Sequence, residues 1–142
     1  ANPAIFPLFY ECASEDVLLV LLSPLERDAP RTAAEIDQRI TELSFNATFM
    51  REMQTIARAA QFADRSPEAS GGLERKLQAL RFHMIDTSEL AALQSTETKA
   101  LAHGPFLEFL RAQGYERATQ WRSKAAAQVG KRSTVDLGKW FG

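Results

Sequence analysis

The chain of 142 residues has a single cysteine, Cys12, no excess of charge of either sign and no long apolar run. One cysteine cannot form an internal disulfide, which fits a reducing compartment and also many short periplasmic proteins. The 17 Lys and Arg residues nearly balance the 18 Asp and Glu residues, so the charge gives no reason to expect nucleic acid as a partner. The longest apolar run, residues 17–22, is far shorter than the ~18 residues of a membrane span.

The sequence also has little that could form a metal or cofactor site. Its two histidines, His83 and His103, have no Cys, Asp or Glu at metal-ligand spacing, so we predict that each is solvated or hydrogen-bonded and that no metal or cofactor binds. Cys12 has no basic neighbour that would make it reactive, and we predict a packed core thiol. Three acidic residues are predicted to mark a solvated helix end and strand entry rather than a catalytic carboxylate pair: Glu11, Glu15 and Asp16.

The run VLLVLL at residues 17–22 predicts a β-strand. It does not alternate between apolar and polar residues, a pattern typical of a strand buried on both faces in a parallel sheet covered by helices. Such a strand needs neighbours, because each unpaired backbone group in an apolar setting costs about 1–3 kcal/mol. The alternating segment at residues 80–85 is the only other strand candidate.

The remaining pattern predicts helices. Asn2 and Pro3 favour a short first helix that Pro7 starts or bends. Thr32 and Glu35 form a capping box for a helix over residues 33–63, for which we expect a break near residues 44–46 because thirty unbroken residues exceed what a small domain needs. A loop at 66–72, further helices at 86–93, 105–114 and 115–129, and a closing helical turn complete the prediction.

These elements divide the chain into two regions, a helix and buried strand over residues 1–31 and a helical portion over residues 32–142 packed on it. Two strands cannot cover both edges of a sheet that buries VLLVLL. The chain is therefore either a helical module with an odd strand or a segment that completes a sheet begun elsewhere, and we favour the second interpretation.

Five segments occur in an order that resembles a known family. ANPA at the start is followed by DVLLVLLSPLER, by a helix with the pattern E-I-x-x-R-x-x-E-x-S-F-N at residues 35–46, by LRFHMI at 80–85 and by RSTVDL at 132–137. This order resembles the C-terminal part of patatin-like phospholipases, particularly the bacterial type with a helical C-terminal extension. The resemblance covers nearly the whole chain, although no single motif decides it.

The resemblance implies an α/β chain: the C-terminal portion of a three-layer fold, with one buried strand, a second strand candidate and a mostly helical cover. In that family the nucleophilic serine stands in a G-x-S-x-G elbow, and an aspartate in Asp-Gly-Gly or Asp-Gly-Ala precedes the Asn-Pro pair. Neither motif occurs in these 142 residues. The resemblance therefore implies that the catalytic serine, the aspartate and the glycine-rich oxyanion loop lie upstream, and that this segment supplies sheet, cleft wall and cover.

The expected function is part of a lipid acyl hydrolase that cleaves carboxylic esters of phospholipids or acylglycerols. Its partners would be the upstream catalytic segment and a lipid ester, with contact to a membrane surface left open and a cytoplasmic location. The chain alone is not expected to be an enzyme. The alternative is a stand-alone helical interaction or regulatory module that binds a partner through exposed apolar helix faces.

No catalytic residue is predicted within the chain, but four residues are candidates for substrate binding. Arg27 follows the carboxyl end of a strand, where open α/β sheets bind ligands, and its guanidinium could bind a phosphoryl head group. An ion pair of Arg27 or Arg31 with a nearby acidic residue is the simpler interpretation. Phe49, Met50 and Met53 could line an acyl channel, since Met and Phe make adaptable apolar walls, or could simply pack in the core.

Overall fold

The computed structural model describes residues 4–26, 28–65, 71–87 and 103–142. The fold is mixed α/β and mostly helical, with a small parallel sheet. The predicted N-cap Asn2, most of the predicted loop at 66–72 and most of the predicted helix at 86–93 lie outside the described residues. The elements in chain order are α1 (Phe6–Glu11), β1 (Asp16–Val20), α2 (Ala33–Arg65), α3 (Gly72–Ala79), β2 (Arg81–Ile85), α4 (Gly104–Ala125), a short 3₁₀ turn (Ala126–Gln128) and α5 (Leu137–Phe141).

The predicted capping box at the start of α2 is confirmed. The N–H of Glu35 donates to Thr32 Oγ1 at 3.2 Å, and the N–H of Thr32 donates to Glu35 Oε2 at 3.1 Å. These reciprocal bonds satisfy backbone donors that the first helical turn leaves unpaired. The sequence signal therefore located the start of this helix correctly.

Two predicted helix interruptions are wrong. α2 continues through residues 44–46, and α4 continues through Gly114, so that each is a single helix. A helical glycine costs only about 1 kcal/mol relative to alanine and does not by itself end a helix. α3 was not predicted at all; it begins after Gly71, within the region expected to be a loop.

The sheet has two parallel strands, paired in register from Asp16 opposite Arg81 to Val20 opposite Ile85. Both predicted strands are therefore confirmed, and one neighbour of β1 comes from within the chain. Helices lie against both faces of β2: Phe82 packs in the core beside α2, and His83 contacts Trp121 of α4 on the opposite face.

A C-terminal strap, residues 129–136, covers the outer edge of β2. The N–H of Phe82 donates to Ser133 Oγ at 3.0 Å, and its carbonyl accepts from the N–H of Thr134 at 2.9 Å and of Val135 at 3.3 Å. Gly130, with a φ of 75°, takes the left-handed conformation in the turn that leads into the strap.

By contrast, no strand among the described residues pairs with the outer edge of β1. The prediction that VLLVLL is buried on both faces is wrong for this chain taken alone. Only Leu19 is buried, whereas Leu18, Val20 and Leu22 are 45%, 57% and 65% exposed. Leu18 and Val20 share the face of the sheet that carries His83, where α4 covers β2 but leaves β1 open.

The core lies between α2 and the other face of the sheet. Phe49, Met53 and Ile56 follow one side of α2 at helical spacing and are buried. They form one cluster with Ala57 of the same helix and with buried residues from the rest of the fold: Ile5, Phe9, Leu19, Leu77, Phe82 and Phe141. The α1 helix is also tied to α2, because the N–H groups of Ile5 and Phe6 donate to the Glu52 carboxylate.

Two phenylalanines of α2 test this core assignment. Phe49 is 5% exposed, and its ring meets the Phe141 ring edge-on, with the two ring centroids 5.9 Å apart. Phe62, by contrast, is 69% exposed. We expect Phe49→Ala to lower the free energy of unfolding by about 3–5 kcal/mol, because it leaves a cavity. Phe62→Ala, which makes the same change on the same helix, should stay within about 0.5 kcal/mol of the parent in urea titrations. Equal losses in the two variants would contradict the assignment.

Candidate functional site

The residues predicted to bind substrate lie in different surroundings. Phe49 and Met53 are buried in the core, and Met50 packs against it from a partly buried position. Arg27 lies outside the described residues. The packing matches the simpler core interpretation, and a role of these side chains in an acyl channel stays a prediction.

The structure corrects the predicted environment of Cys12. It was predicted as a packed core thiol, but it is exposed directly after the last residue of α1. The helix ends at Glu11, and residues 10–15 around Cys12 are all exposed, so the apolar neighbours in sequence do not cover the thiol.

A polar cluster connected by several hydrogen bonds lies at the amino ends of both strands. It consists of Asp16, Arg81, His83, Thr134 and the backbone of Gly130. Asp16 Oδ1 accepts from Arg81 Nε at 3.1 Å, from His83 Nε2 at 3.1 Å and from the N–H of Gly130 at 2.9 Å, while Oδ2 accepts from Arg81 Nη2 at 3.0 Å. Asp16 is the first residue of β1, so the predicted strand entry is confirmed, but its carboxylate is partly buried and hydrogen-bonded rather than solvated.

The surroundings of Asp16 strongly favour its ionised form. The Arg81 guanidinium, the Gly130 N–H and His83 hold the pKa of this carboxyl far below its ordinary value of 3.8, against a smaller opposing effect of burial. Reciprocally, Asp16 and then Glu15 raise the pKa of Arg81 above its ordinary value. The pair is a charge-assisted fork between a planar guanidinium and a carboxylate.

His83 is buried rather than solvated, with 1% of its surface exposed. It lies on the face of β2 opposite Phe82, and α4 covers that face. Both ring nitrogens are hydrogen-bonded: Nε2 to Asp16 Oδ1 at 3.1 Å and Nδ1 to Thr134 Oγ1 at 2.9 Å. The Trp121 ring meets the imidazole edge-on, with the two centroids 6.1 Å apart. Hydrogen bonding, one of the two predicted roles of His83, is thus confirmed.

The cluster as a unit is not predictable from the sequence. Asp16 and His83 become diagonal neighbours only in the strand register that pairs Leu18 with His83. Thr134 is more than fifty residues further along the chain. The available signal was the RSTVDL segment, because it places two hydroxyl residues beside basic ones, but nothing in the sequence indicates that this segment lies along β2.

A second concave feature is a cavity of about 300 Å³ between α2, α3, β2 and the segment 133–138. Its walls combine apolar side chains such as Leu77 and Val135 with polar ones such as Gln61 and Asp64. Gly138 also lines the cavity, and a Cβ at this position would come within 2.6 Å of Gln61 Nε2, the far end of a flexible side chain. Phe49, Met50 and Met53 do not line this cavity.

The described ranges show neither a metal-binding cluster nor a membrane-spanning helix. No group of three or more His, Cys, Asp and Glu side chains there could hold a metal ion. None of the helices in those ranges combines the length and apolar character required to cross a bilayer.

The Asp16 carboxylate provides a pH test. Its pKa in the folded chain lies below the unfolded value near 3.8, so its stabilising effect is complete above that value and is lost as the pH falls through the folded-state pKa. We expect Asp16→Asn to lower the free energy of unfolding at pH 7, and the gap between parent and variant to narrow as the pH falls below about 4.

Glu108→Gln is the matched control for this measurement. Glu108 also accepts from an arginine, Arg111, at 3.0 Å, but both side chains are exposed. Exposed pairs contribute little to stability, so this variant should behave like the parent at each pH in urea titrations. If Asp16→Asn and Glu108→Gln gave the same pH profile, the proposed stabilisation of the Asp16 carboxylate would be wrong.

The chain was also compared with known proteins. No family model, no curated protein and no solved structure matches it. The fold described above therefore rests on the chain's own contacts, and the patatin-like resemblance stays a prediction from the order of its sequence motifs.

Proposed function

We propose that the chain is the C-terminal segment of a serine-aspartate lipid acyl hydrolase, and that it supplies a sheet neighbour and helical cover to a catalytic segment upstream. The observation that carries this proposal is the open apolar edge of β1. Leu18, Val20 and Leu22 are exposed, and the outer edge of β1 lacks a strand partner among the described residues.

Physical reasoning favours further strands as the occupant of this edge. Parallel sheets occur almost only where both faces are covered by helices, and their strands are continuous apolar runs. An apolar edge strand left open would pair with other chains and aggregate. No charged side chain or proline interrupts residues 17–22 to prevent such pairing. An additional strand beside β1 would satisfy its backbone groups, and a helix above it would cover Leu18 and Val20.

The helix α2 carries a second uncovered apolar surface. Ile36, Ile40 and Leu43 recur at helical spacing and are all exposed. At 3.6 residues per turn they lie roughly a third of a turn away from the side that buries Phe49 and Met53. A helix with apolar residues on two sides fits a position between two packed layers, which supports the proposal of additional polypeptide against α2.

The chemistry in this proposal comes from the sequence resemblance. The upstream serine would attack the carboxylic ester of a phospholipid or acylglycerol, and the upstream aspartate would act as its base. The described segment would contribute the wall and cover of the cleft. Arg27 and the side chains of Phe49, Met50 and Met53 keep their predicted roles in substrate binding within this proposal.

A second candidate function is that of an interaction module without catalysis. The stripe of Ile36, Ile40 and Leu43 favours it, because an exposed apolar stripe at this spacing is the surface that an amphipathic helix presents to a partner. The two functions differ in what covers β1: the hydrolase needs a strand partner there, whereas the module leaves this edge unused.

Expression from the complete reading frame tests the proposal. We expect that frame to encode Asp-Gly-Gly or Asp-Gly-Ala before ANPA and G-x-S-x-G farther upstream, and its product to hydrolyse p-nitrophenyl butyrate and phospholipid vesicles. Leu18→Lys in this product should reduce ester hydrolysis at least ~10-fold, because a charge at a buried sheet position costs more than the ~1.4 kcal/mol that corresponds to that factor.

Tyr115→Lys is the matched control, since it introduces the same charge at a residue that is 76% exposed. It should leave hydrolysis unchanged. A reading frame without the two motifs, or a Leu18→Lys protein as active as Tyr115→Lys, would refute the hydrolase proposal. If the reading frame lacks the two motifs, the interaction module would be supported by a partner that binds through the α2 stripe. Binding of this partner should be lost in the Ile40→Lys variant.

A further inference from the structure

We propose that Thr134 is an acyl acceptor, whose hydroxyl is activated by His83 and Asp16 and takes one acyl group from an ester or thioester. The three side chains form a continuous hydrogen-bonded relay. Thr134 Oγ1 lies 2.9 Å from His83 Nδ1, and His83 Nε2 lies 3.1 Å from Asp16 Oδ1. A hydroxyl, an imidazole and a carboxylate in this order are the parts from which an activated nucleophile is built. The inference does not depend on the proposed hydrolase function.

The hydrogen-bond partners fix the position of the imidazole proton. An ionised carboxylate can only accept, so the neutral imidazole of His83 must carry its proton on Nε2 and donate it to Asp16. The lone pair on Nδ1 then faces Thr134 Oγ1, whose hydroxyl donates to it. The imidazole is thus in the tautomer that can accept the hydroxyl proton during an attack.

The relay is rigid at one end and open to solvent at the other. Asp16 is held by Arg81 and Gly130, and His83 is buried beneath Trp121. Thr134 is an exposed residue, and its N–H donates to the Phe82 carbonyl at 2.9 Å, which fixes the backbone beneath the hydroxyl. In the proposal, the acyl donor approaches from this exposed side of Thr134 while the base stays in place.

The proposed step is a simple acyl transfer. Thr134 Oγ1 forms a bond to the carbonyl carbon of the donor while its proton passes to His83 Nδ1. The bond between that carbon and the leaving oxygen or sulfur breaks, and the leaving group takes the proton from His83. The products are an ester at Thr134 and a free alcohol or thiol, with no change of oxidation state.

The geometry predicts one transfer rather than repeated turnover. The N–H groups of Thr134 and Val135 both donate to the Phe82 carbonyl, so neither can stabilise an oxyanion in either step. An activated donor such as a p-nitrophenyl ester or a thioester can still react with the hydroxyl, whereas the alkyl ester formed at Thr134 is a much poorer acyl donor to water. The acyl group should therefore remain on Thr134, and the chain should consume at most about one equivalent of donor.

The test uses p-nitrophenyl acetate as the donor and the purified 142-residue chain as the acceptor. We expect a burst of at most one equivalent of p-nitrophenolate and a single added acetyl group that peptide mass spectrometry places on Thr134. A positioned general base accelerates such reactions about 10²–10⁴-fold, so acetylation of Thr134 should be ~100-fold faster than that of the neighbouring Ser133.

Two variants separate the relay from a structural role of Thr134. Thr134→Ser keeps the hydroxyl and should retain the burst, whereas Thr134→Val keeps the shape and should lose it. Circular dichroism will show that both variants are folded. Acetylation that is absent from the parent, spread over several residues, or equally fast in Thr134→Val would overturn the proposal. Because this readout needs no upstream polypeptide, its failure would leave the hydrolase proposal untouched.

Discussion

The Asp16 carboxylate holds together the three parts of the chain that meet at the sheet. It accepts hydrogen bonds from Arg81 and His83 of β2 and from the backbone of Gly130, which begins the path of the strap along the sheet edge. The sequence separation across these bonds reaches 114 residues. A single carboxylate therefore fixes the strand register and the strap position together, because a shift of the strands would leave the Arg81 guanidinium without its acceptor and a shift of the strap would do the same to the Gly130 N–H.

The sequence predicted those elements whose cause is local. VLLVLL indicated β1, the alternation at residues 80–85 indicated β2, and Thr32 with Glu35 indicated the start of α2, all of which the structure contains. The predictions failed where contacts between residues far apart in the sequence decide whether a helix continues. The continuity of α2 past residue 46 and of α4 past Gly114 could not be inferred from residues that are only weakly unfavourable in helices.

The polar cluster could not be predicted from the sequence for the same reason. Asp16, His83 and Thr134 were each visible in the sequence, but their proximity depends on the pairing of β1 with β2 and on the path of the strap. The exposure of Leu18 and Val20 was also unpredictable from composition, since an apolar run indicates a strand suited to burial and says nothing about what covers it. Sequence patterns specify faces, and only tertiary contacts decide which faces meet.

The strap has a consequence for biosynthesis. It supplies the groups that pair with Phe82 on the outer edge of β2, yet Ser133 is separated from Phe82 by 51 residues. At a translation rate of about 5–20 residues per second, this edge of β2 stays without its own cover for ~3–10 s after the strand has been synthesised. During this interval the nascent chain presents a bare strand edge to its surroundings, so that protection of β2 depends on chaperones or neighbouring polypeptide until the strap arrives.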